Sequence, residues 1–178
     1  MTTGELTPQG GTPFGPPGVL VTKLHPPVVR DQTVARERLL DALQPHPAIR
    51  LTVVAAPAGY GKSTLLAMWR DVEASRRSGA WVTLDERDND PVVLWLHVIE
   101  ALARACPGIS ASTSSALLAG APLEQAVLPR LVNDLAGEEA VALILDDFHR
   151  LSNPDTREGV KWLIDHAPEG LQLVVASR

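Results

Sequence analysis

A short, near-continuous apolar run, LTVVAA at 51–56, leads straight into the glycine-rich stretch PAGYGKST at 57–64, and no other feature constrains the fold as tightly. A run this short and apolar is expected to form a strand buried on both faces of a parallel sheet. Beyond the loop, Leu65, Met68, Trp69 and Val72 recur at i, i+3, i+4 and i+7, the spacing of a helix with one buried stripe. Strand, tight loop and helix in this order let backbone N–H groups wrap an anion. Gly59 and Gly61 can adopt positive φ, and the helix N-terminus adds its dipole and its unpaired N–H groups. Lys62 then supplies a point charge for the β and γ phosphates, and Ser63 a hydroxyl for Mg²⁺. Ala56 stands where the usual phosphate loop has its first glycine. The competing reading, a glycine-rich turn with a surface lysine, lacks a reason for the flanking strand and helix.

Three more strand candidates follow at long spacing: Ala80 to Leu84, Val141 to Asp146 and Leu171 to Ala176. Helical patterns separate them, marked by Val92, Trp95, Leu96 and Ile99, by Leu128, Leu131, Val132 and Leu135, and by Val160, Leu163, Ile164 and Ala167. Strands alternating with helices imply an α/β fold, a mostly parallel sheet with helices on both faces. Pro129 means that its helix starts afresh there or is kinked. The small-residue stretch 106–122 reads as a loop without chemistry of its own.

The third strand ends in Asp146 and Asp147. In a sheet that already carries a phosphate loop, an acid at the carboxyl end of a buried strand is placed for Mg²⁺, a hard cation that prefers oxygen donors. Asp146 is assigned to that shell. Asp147 is the candidate for orienting or deprotonating an attacking water. The alternative is that two acids merely stop a strand and open a solvated loop. The fourth strand runs into Ser177 and Arg178, and an arginine at that edge could sense or neutralise a γ-phosphate. His149 lies nearest the acids but has no partner at metal-ligand spacing, and reads as a surface or hydrogen-bonded histidine.

Composition sets the outer limits. The 178 residues are 45% hydrophobic and 21% charged, an ordinary globular balance, and one domain is the default count. A net charge of −5 argues against a broad basic face for nucleic acid. The single cysteine, Cys106, excludes an internal disulfide and a four-cysteine zinc site, fits a reducing cytoplasm, and reads as a small apolar residue at a helix end. No apolar segment is long enough to span a membrane. Residues 1–18, rich in Pro, Gly and Thr, read as a disordered tail. Residues 19–50 form a lead-in that begins extended, Pro26 and Pro27 excluding helix, and turns helical around 35–43. Residues 51–178 are the expected phosphate-loop core.

In order, TKLHPP, RERLLDAL, APAGYGKSTLLAMW, WVTLDERDNDP, LILDDFHRL and LQLVVASR resemble the nucleotide-binding module of large LuxR-type transcriptional regulators, the group that includes the maltose-regulon activator. The resemblance covers about residue 20 to the end. It implies a signal-transduction P-loop ATPase of the STAND type, AAA-like in fold, held closed by ADP and promoted to self-associate by ATP and an inducer. It carries Lys62, Ser63 and Thr64, within the loop formed with Pro57, Ala58, Gly59, Tyr60 and Gly61, to phosphate and Mg²⁺ contact. It carries Asp146 to Mg²⁺, Asp147 to the hydrolytic position and Arg178 to the γ-phosphate sensor, and places Arg36 near the base. Arg36 on a solvated helix is an equal alternative. DNA would be read by a C-terminal domain that these residues do not include.

The expected function is an ATP/ADP-binding switch with slow hydrolysis. A stand-alone ATPase or small-molecule kinase is the rival within enzymes, although no arginine-rich lid follows the second strand. A catalytically silent scaffold is the rival outside them. P-loop folds with a sensor strand between the first and third usually add a fifth strand beside the first. Four candidates here imply that the sheet is incomplete at its C-terminal end, that LTVVAA has a bare apolar edge, and that the 178 residues are the N-terminal piece of a longer protein.

Overall fold

The computed structural model describes residues 18–30, 32–44, 46, 49–138 and 140–178. The expected tail at 1–18 lies, apart from residue 18, outside them. Four strands, β1 (Leu51–Ala55), β2 (Ser78–Thr83), β3 (Val141–Asp146) and β4 (Leu171–Ser177), form one sheet in the order β1-β4-β3-β2. Every pairing is parallel, with Val53 opposite Val175, Leu143 opposite Leu173 and Ala80 opposite Leu143. All strands therefore point their carboxyl ends the same way. β4 lies between β1 and β3, so the loop after β1 and the acids after β3 flank it.

Side-chain alternation divides the core in two, as a period of two residues requires. Leu143, Leu145, Leu171, Leu173, Ala80 and Val82 face one layer, and Ala142, Ile144, Val174, Ala176 and Trp81 face the other. The second face is covered by α1 (Glu37–Ala42) and α2 (Lys62–Glu73), through Leu43, Leu66 and Trp69. The first is covered by α3 (Pro91–Ala105), α4 (Ala111–Leu118), α5 (Leu128–Leu135) and α6 (Pro154–His166), which bring in Trp95, Ile99, Leu117, Leu131 and Leu163. The result is the three-layer α/β/α arrangement of a P-loop fold. Trp69, Trp81 and Trp95 are fully enclosed, and truncating any of them to Ala would cost roughly 3–5 kcal/mol.

Four expectations need correction. The stretch 106–122 is not a plain loop, because α4 occupies 111–118. Ser110 caps it by accepting from the Ser112 N–H, and Thr113 donates to Asp134 Oδ2, so the small polar residues are satisfied within helical structure. β1 is not buried on both faces: as the edge strand it leaves Val53 57% exposed. Along α2 the buried residues are Lys62, Leu66, Ala67, Trp69 and Glu73, while Val72 is exposed. The helix is thus rotated from the stripe expected, and Trp69 is the member of that stripe that is fully buried. A 3-10 turn at Val21–Leu24 precedes Pro26, so the lead-in does not begin wholly extended. Pro129 sits in the first turn of α5, which starts afresh after a π-type turn at Leu123–Val127.

Candidate functional site: a phosphate loop facing two strand-end acids

The loop after β1 reverses sharply at two glycines. Gly59 has φ 81° and Gly61 φ 78°, and Gly61 is the N-cap of α2 without a capping side chain. A residue with a Cβ would be strained in this region by about 1–2 kcal/mol. A Cβ built on either glycine meets nothing within 4 Å, so the space beside them is open. The first N–H groups of α2 are therefore left for an anion, with the positive end of a 12-residue helix behind them.

Lys62 folds back over this loop. Its Nζ donates to the carbonyls of Ala56 at 2.7 Å and Pro57 at 3.2 Å, and the side chain is almost buried. A cavity of about 350 Å³ is bounded by Ala58, Gly59, Gly61, Lys62, Ser63 and Thr64 on one side and by Asp147 and Arg178 on the other. The sheet order accounts for this meeting, since β1, β4 and β3 are consecutive neighbours and each ends here. Asp146, 3% exposed, hydrogen-bonds the Ser63 hydroxyl and accepts from the Asp147 N–H at 2.9 Å. Burial pushes its carboxyl above the usual carboxylate range. The Ser63 hydrogen bond opposes that shift, and the charge of Asp147 adds to it.

A second cavity of about 300 Å³ shares Gly61 and Thr64 and continues past Thr33, Val34, Arg36, Leu65 and Met68. Arg36 Nη1 donates to the Tyr60 carbonyl at 3.4 Å, a long contact that nonetheless brings the lead-in against the loop. Of the sequence-derived candidates, Pro57, Tyr60 and Asp146 line neither cavity; Tyr60 is 61% exposed, whereas Asp146 is buried beside Ser63. The remaining loop residues, Asp147, Arg178 and Arg36 line one cavity or the other.

His149 is not a surface histidine. Its ring nitrogens are enclosed without a hydrogen-bond partner, and Nδ1 lies 3.8 Å from Asp147 Oδ1. Cys106 is fully buried, and desolvation pushes its thiol up to about 11, so it stays protonated and apolar at neutral pH. A larger cavity of about 660 Å³ lies at the opposite, amino end of β2, bounded by Arg70, Arg77 and Arg104 among others. These arginines already serve Gly79 O, Gln172 Oε1 and Glu100 Oε1, so size alone does not make it the anion site.

Sequence reading passed over a buried polar network behind the site. Lys23 pairs with Asp88 and, at 3.2 Å, with Asp85. Asp88 Oδ1 meets His97 Nδ1 at 3.0 Å, and His97 Nε2 accepts the Leu20 N–H at 3.1 Å. The imidazole is thus the Nδ1–H tautomer facing a carboxylate. Asp85 and Asp88 form a reciprocal capping box around the 3-10 turn Glu86–Asn89. Its sequence signal, acids three apart before a proline-started helix, was available in LDERDNDP.

With this geometry in view, comparison with known proteins is decisive. The AAA domain family matches residues 48–176. The chain belongs to that family. It is also 36% identical over 173 residues to the serine/threonine-protein kinase PknK of Mycobacterium tuberculosis, covering 94% of this chain and 16% of that protein. To the HTH-type transcriptional regulator MalT of Cronobacter sakazakii it is 34% identical over 171 residues, covering 90% of this chain and 18% of the regulator. The chain thus spans less than a fifth of these relatives, and the resemblance to the maltose-regulon activator group holds at the level of this module. Among the described residues no helix is long and apolar enough to cross a membrane.

Proposed function

We propose that this chain is the ATP- and ADP-binding switch module of a large LuxR-type regulator and hydrolyses ATP slowly with Mg²⁺. The observation that carries the reading is the 350 Å³ cavity in which glycine-loop N–H groups, Lys62, Asp147 and Arg178 converge. The loop N–H groups, Lys62 and Arg178 are the donors that a triphosphate tail needs, and its γ end would lie toward Asp147 and Arg178. Lys62 would exchange its two carbonyl contacts for β- and γ-phosphate oxygens. Arg36, Val34 and Met68 line the adjoining cavity, where the base and sugar fit.

The residues suit a divalent cation. The Ser63 hydroxyl and the Asp146 carboxyl are hydrogen-bonded neighbours, both oxygen donors, and burial raises the carboxyl despite that bond and the charge of Lys62. Ser63 and Asp146 would hold Mg²⁺, which when bound neutralises charge on the β and γ phosphates. Asp147 would accept a hydrogen bond from the attacking water and orient it, and Arg178 would stabilise the charge building on the γ-phosphate.

A switch role accounts for the relatives. One is named as a kinase and the other as a transcriptional regulator, yet each is about one-third identical to this chain over a segment that makes up less than a fifth of its length. A nucleotide-operated part coupled to different outputs fits that pattern. Self-association through this module, DNA contact by a separate C-terminal domain and a cytoplasmic location belong to the same proposal. Isothermal titration with ADP and ATP tests its base: wild type should bind both, and Lys62→Ala should weaken both, because the β-phosphate is common to them. Equal affinities in the two proteins would overturn the phosphate-site reading.

A further inference from the structure

Asp147 is the sole described non-glycine residue at positive φ, 59°. Asp visits this left-handed region more readily than most residues, but a fixed place in it persists where the surroundings over-determine it. Part of the restraint is local: the Asp147 carbonyl accepts the Arg150 N–H at 2.9 Å across a 3-10 turn, Phe148–Arg150. That turn has no side-chain cap of its own. The chain leaving it is held from another element.

The holder is Asn89, 58 positions earlier in sequence, at the end of the Glu86–Asn89 turn. Its Nδ2 donates to the Arg150 carbonyl at 2.9 Å, and its Oδ1 accepts the N–H groups of Ser152 at 2.6 Å and Asn153 at 2.8 Å and the Ser152 hydroxyl at 3.1 Å. Its main-chain carbonyl accepts Asn153 Nδ2 and Thr156 Oγ1. One amide thus grips the chain on both sides of Leu151. Asn89 is anchored in turn, by its own bond to the Glu86 carbonyl at 3.0 Å and by the Asp85–Asp88 capping box that Lys23 locks from beneath. Asn89 lines neither the phosphate cavity nor the one beside Arg36.

We propose that Asn89 is the positioning residue for Asp147: by fixing residues 150–153 it keeps Asp147 in the left-handed conformation that presents it to the phosphate cavity. This rests on the reading of Asp147 as the water-orienting acid. The residue type follows from the bonds. A planar amide supplies a donor edge and an acceptor edge together, whereas Asp keeps the acceptor and loses both donations, and Ala loses all.

The test measures phosphate release and nucleotide affinity separately, in the full chain, for Asn89→Ala and Asn89→Asp, each alone and combined with Asp147→Asn. Asn89→Ala should lower kcat roughly 10- to 100-fold while ATP affinity stays within about twofold, since a small misplacement of a catalytic group costs that much. Asn89→Asp should fall between it and wild type. In the Asp147→Asn background Asn89→Ala should add nothing, because residues acting through one group are not additive. An equal loss in both backgrounds, or a loss that tracks only a reduced fraction of nucleotide-competent protein, overturns the proposal. If Asn89→Ala does not fold, Asn89→Asp decides, and wild-type turnover there overturns it. If wild type shows no hydrolysis, or Asp147→Asn does not slow it, the hydrolytic reading has failed instead. The clamp is then read by amide hydrogen exchange: Ser152 and Asn153, whose N–H groups Asn89 Oδ1 accepts, should exchange faster in Asn89→Ala, and Arg150, whose turn loses the amide's donation, faster in Asn89→Asp; unchanged exchange overturns it.

Discussion

The phosphate loop and the Asp85–Asp90 segment both sit at the carboxyl end of the sheet, and they treat polar groups in opposite ways. In the loop, Gly61 caps α2 with no side chain and the N–H groups beyond it face an open cavity. In the acidic segment, Asp85 accepts from the Arg87 N–H, Asp90 from those of Val92 and Val93, Asp88 is wrapped by Lys23, His97 and the Asp85 N–H, and Asn89 uses both edges of its amide. A buried polar group left unpaired costs about 1–3 kcal/mol, so a protein keeps such groups unpaired where a ligand completes them. Acid-rich composition alone would have suggested that the second segment binds a cation. Its saturation marks it as the frame, and the loop as the receiver.

The largest effect should come from breaking the frame. Asp88 is fully buried, and removing one partner of a buried, hydrogen-bonded ion pair costs about 3–5 kcal/mol. Asp88→Ala should therefore lower Tm by roughly 10 °C in a domain of this size. Burial by itself raises the Asp88 carboxyl, but hydrogen bonds from His97, Lys23 and the Asp85 N–H outweigh it and hold the group below the usual carboxylate range. An acid with a depressed folded value contributes stability above its unfolded value, near 4, and loses it as pH falls through the folded value. The gap between wild type and Asp88→Ala should be widest at neutral pH and close in acid. A gap that is constant with pH, followed by thermal melts, would deny the carboxylate its role.

The loop should respond in the reverse sense. Lys62→Ala removes a charged donor that the free protein uses on two loop carbonyls, so ATP and ADP affinity should fall roughly 10- to 100-fold, with unliganded stability lowered by about 1–3 kcal/mol, less than by Asp88→Ala. Asp147→Asn should leave both affinities intact and slow hydrolysis by on the order of 100-fold. Titration and phosphate release separate the two. If Lys62→Ala destabilises the free protein as much as Asp88→Ala does, the contrast between receiver and frame is wrong.

How much of this was readable in advance follows from how local each signal is. PAGYGKST after an apolar run announces itself within fourteen residues, and LILDD carries its acids at the strand end, so the loop and Asp146 could be placed without partners. β3 alternates between two buried faces, and its continuous apolar pattern was a faithful guide. The same pattern misled at β1 about its faces alone: the strand takes the bare-edge place that a count of four strands implied, but Val53 is left exposed, because what covers a face is decided by other elements and not by the strand's own residues. In α2, Val72 suited the apolar stripe, yet Glu73 is the residue turned inward, held near Arg76 and Arg77. Lys23 and Asp88 are 65 positions apart, and Asn89 meets Ser152 across 63. No periodicity reports such a pairing. Serine-rich 110–115 hid α4 for another reason: those hydroxyls favour loops unless something receives them, and Ala111 O and Asp134 do.

The smallest expected effect is the sharpest probe of the comparison, because its sign is reversed. Asp146 belongs to the receiver, and burial raises its carboxyl despite the bond from Ser63. For an acid whose folded value lies above its unfolded one, the native state holds the proton longer. Stability then falls as pH rises between the two values, and the full cost remains above the upper one. Asp146→Asn keeps the shape and removes the cost. Without nucleotide, its Tm at pH 7 should exceed that of wild type by a small margin, and the margin should vanish as pH drops below about 4. Added Mg-ATP should reverse the ranking, since a ligand stabilises in proportion to its affinity and the variant has lost a carboxylate of the proposed Mg²⁺ site. Thermal melts at two pH values, with and without Mg-ATP, test all of this. A variant less stable than wild type in the absence of nucleotide at pH 7 would mean that Asp146 is part of the frame, already satisfied by Ser63 and Lys62, and that the line between the two regions runs inside the phosphate site.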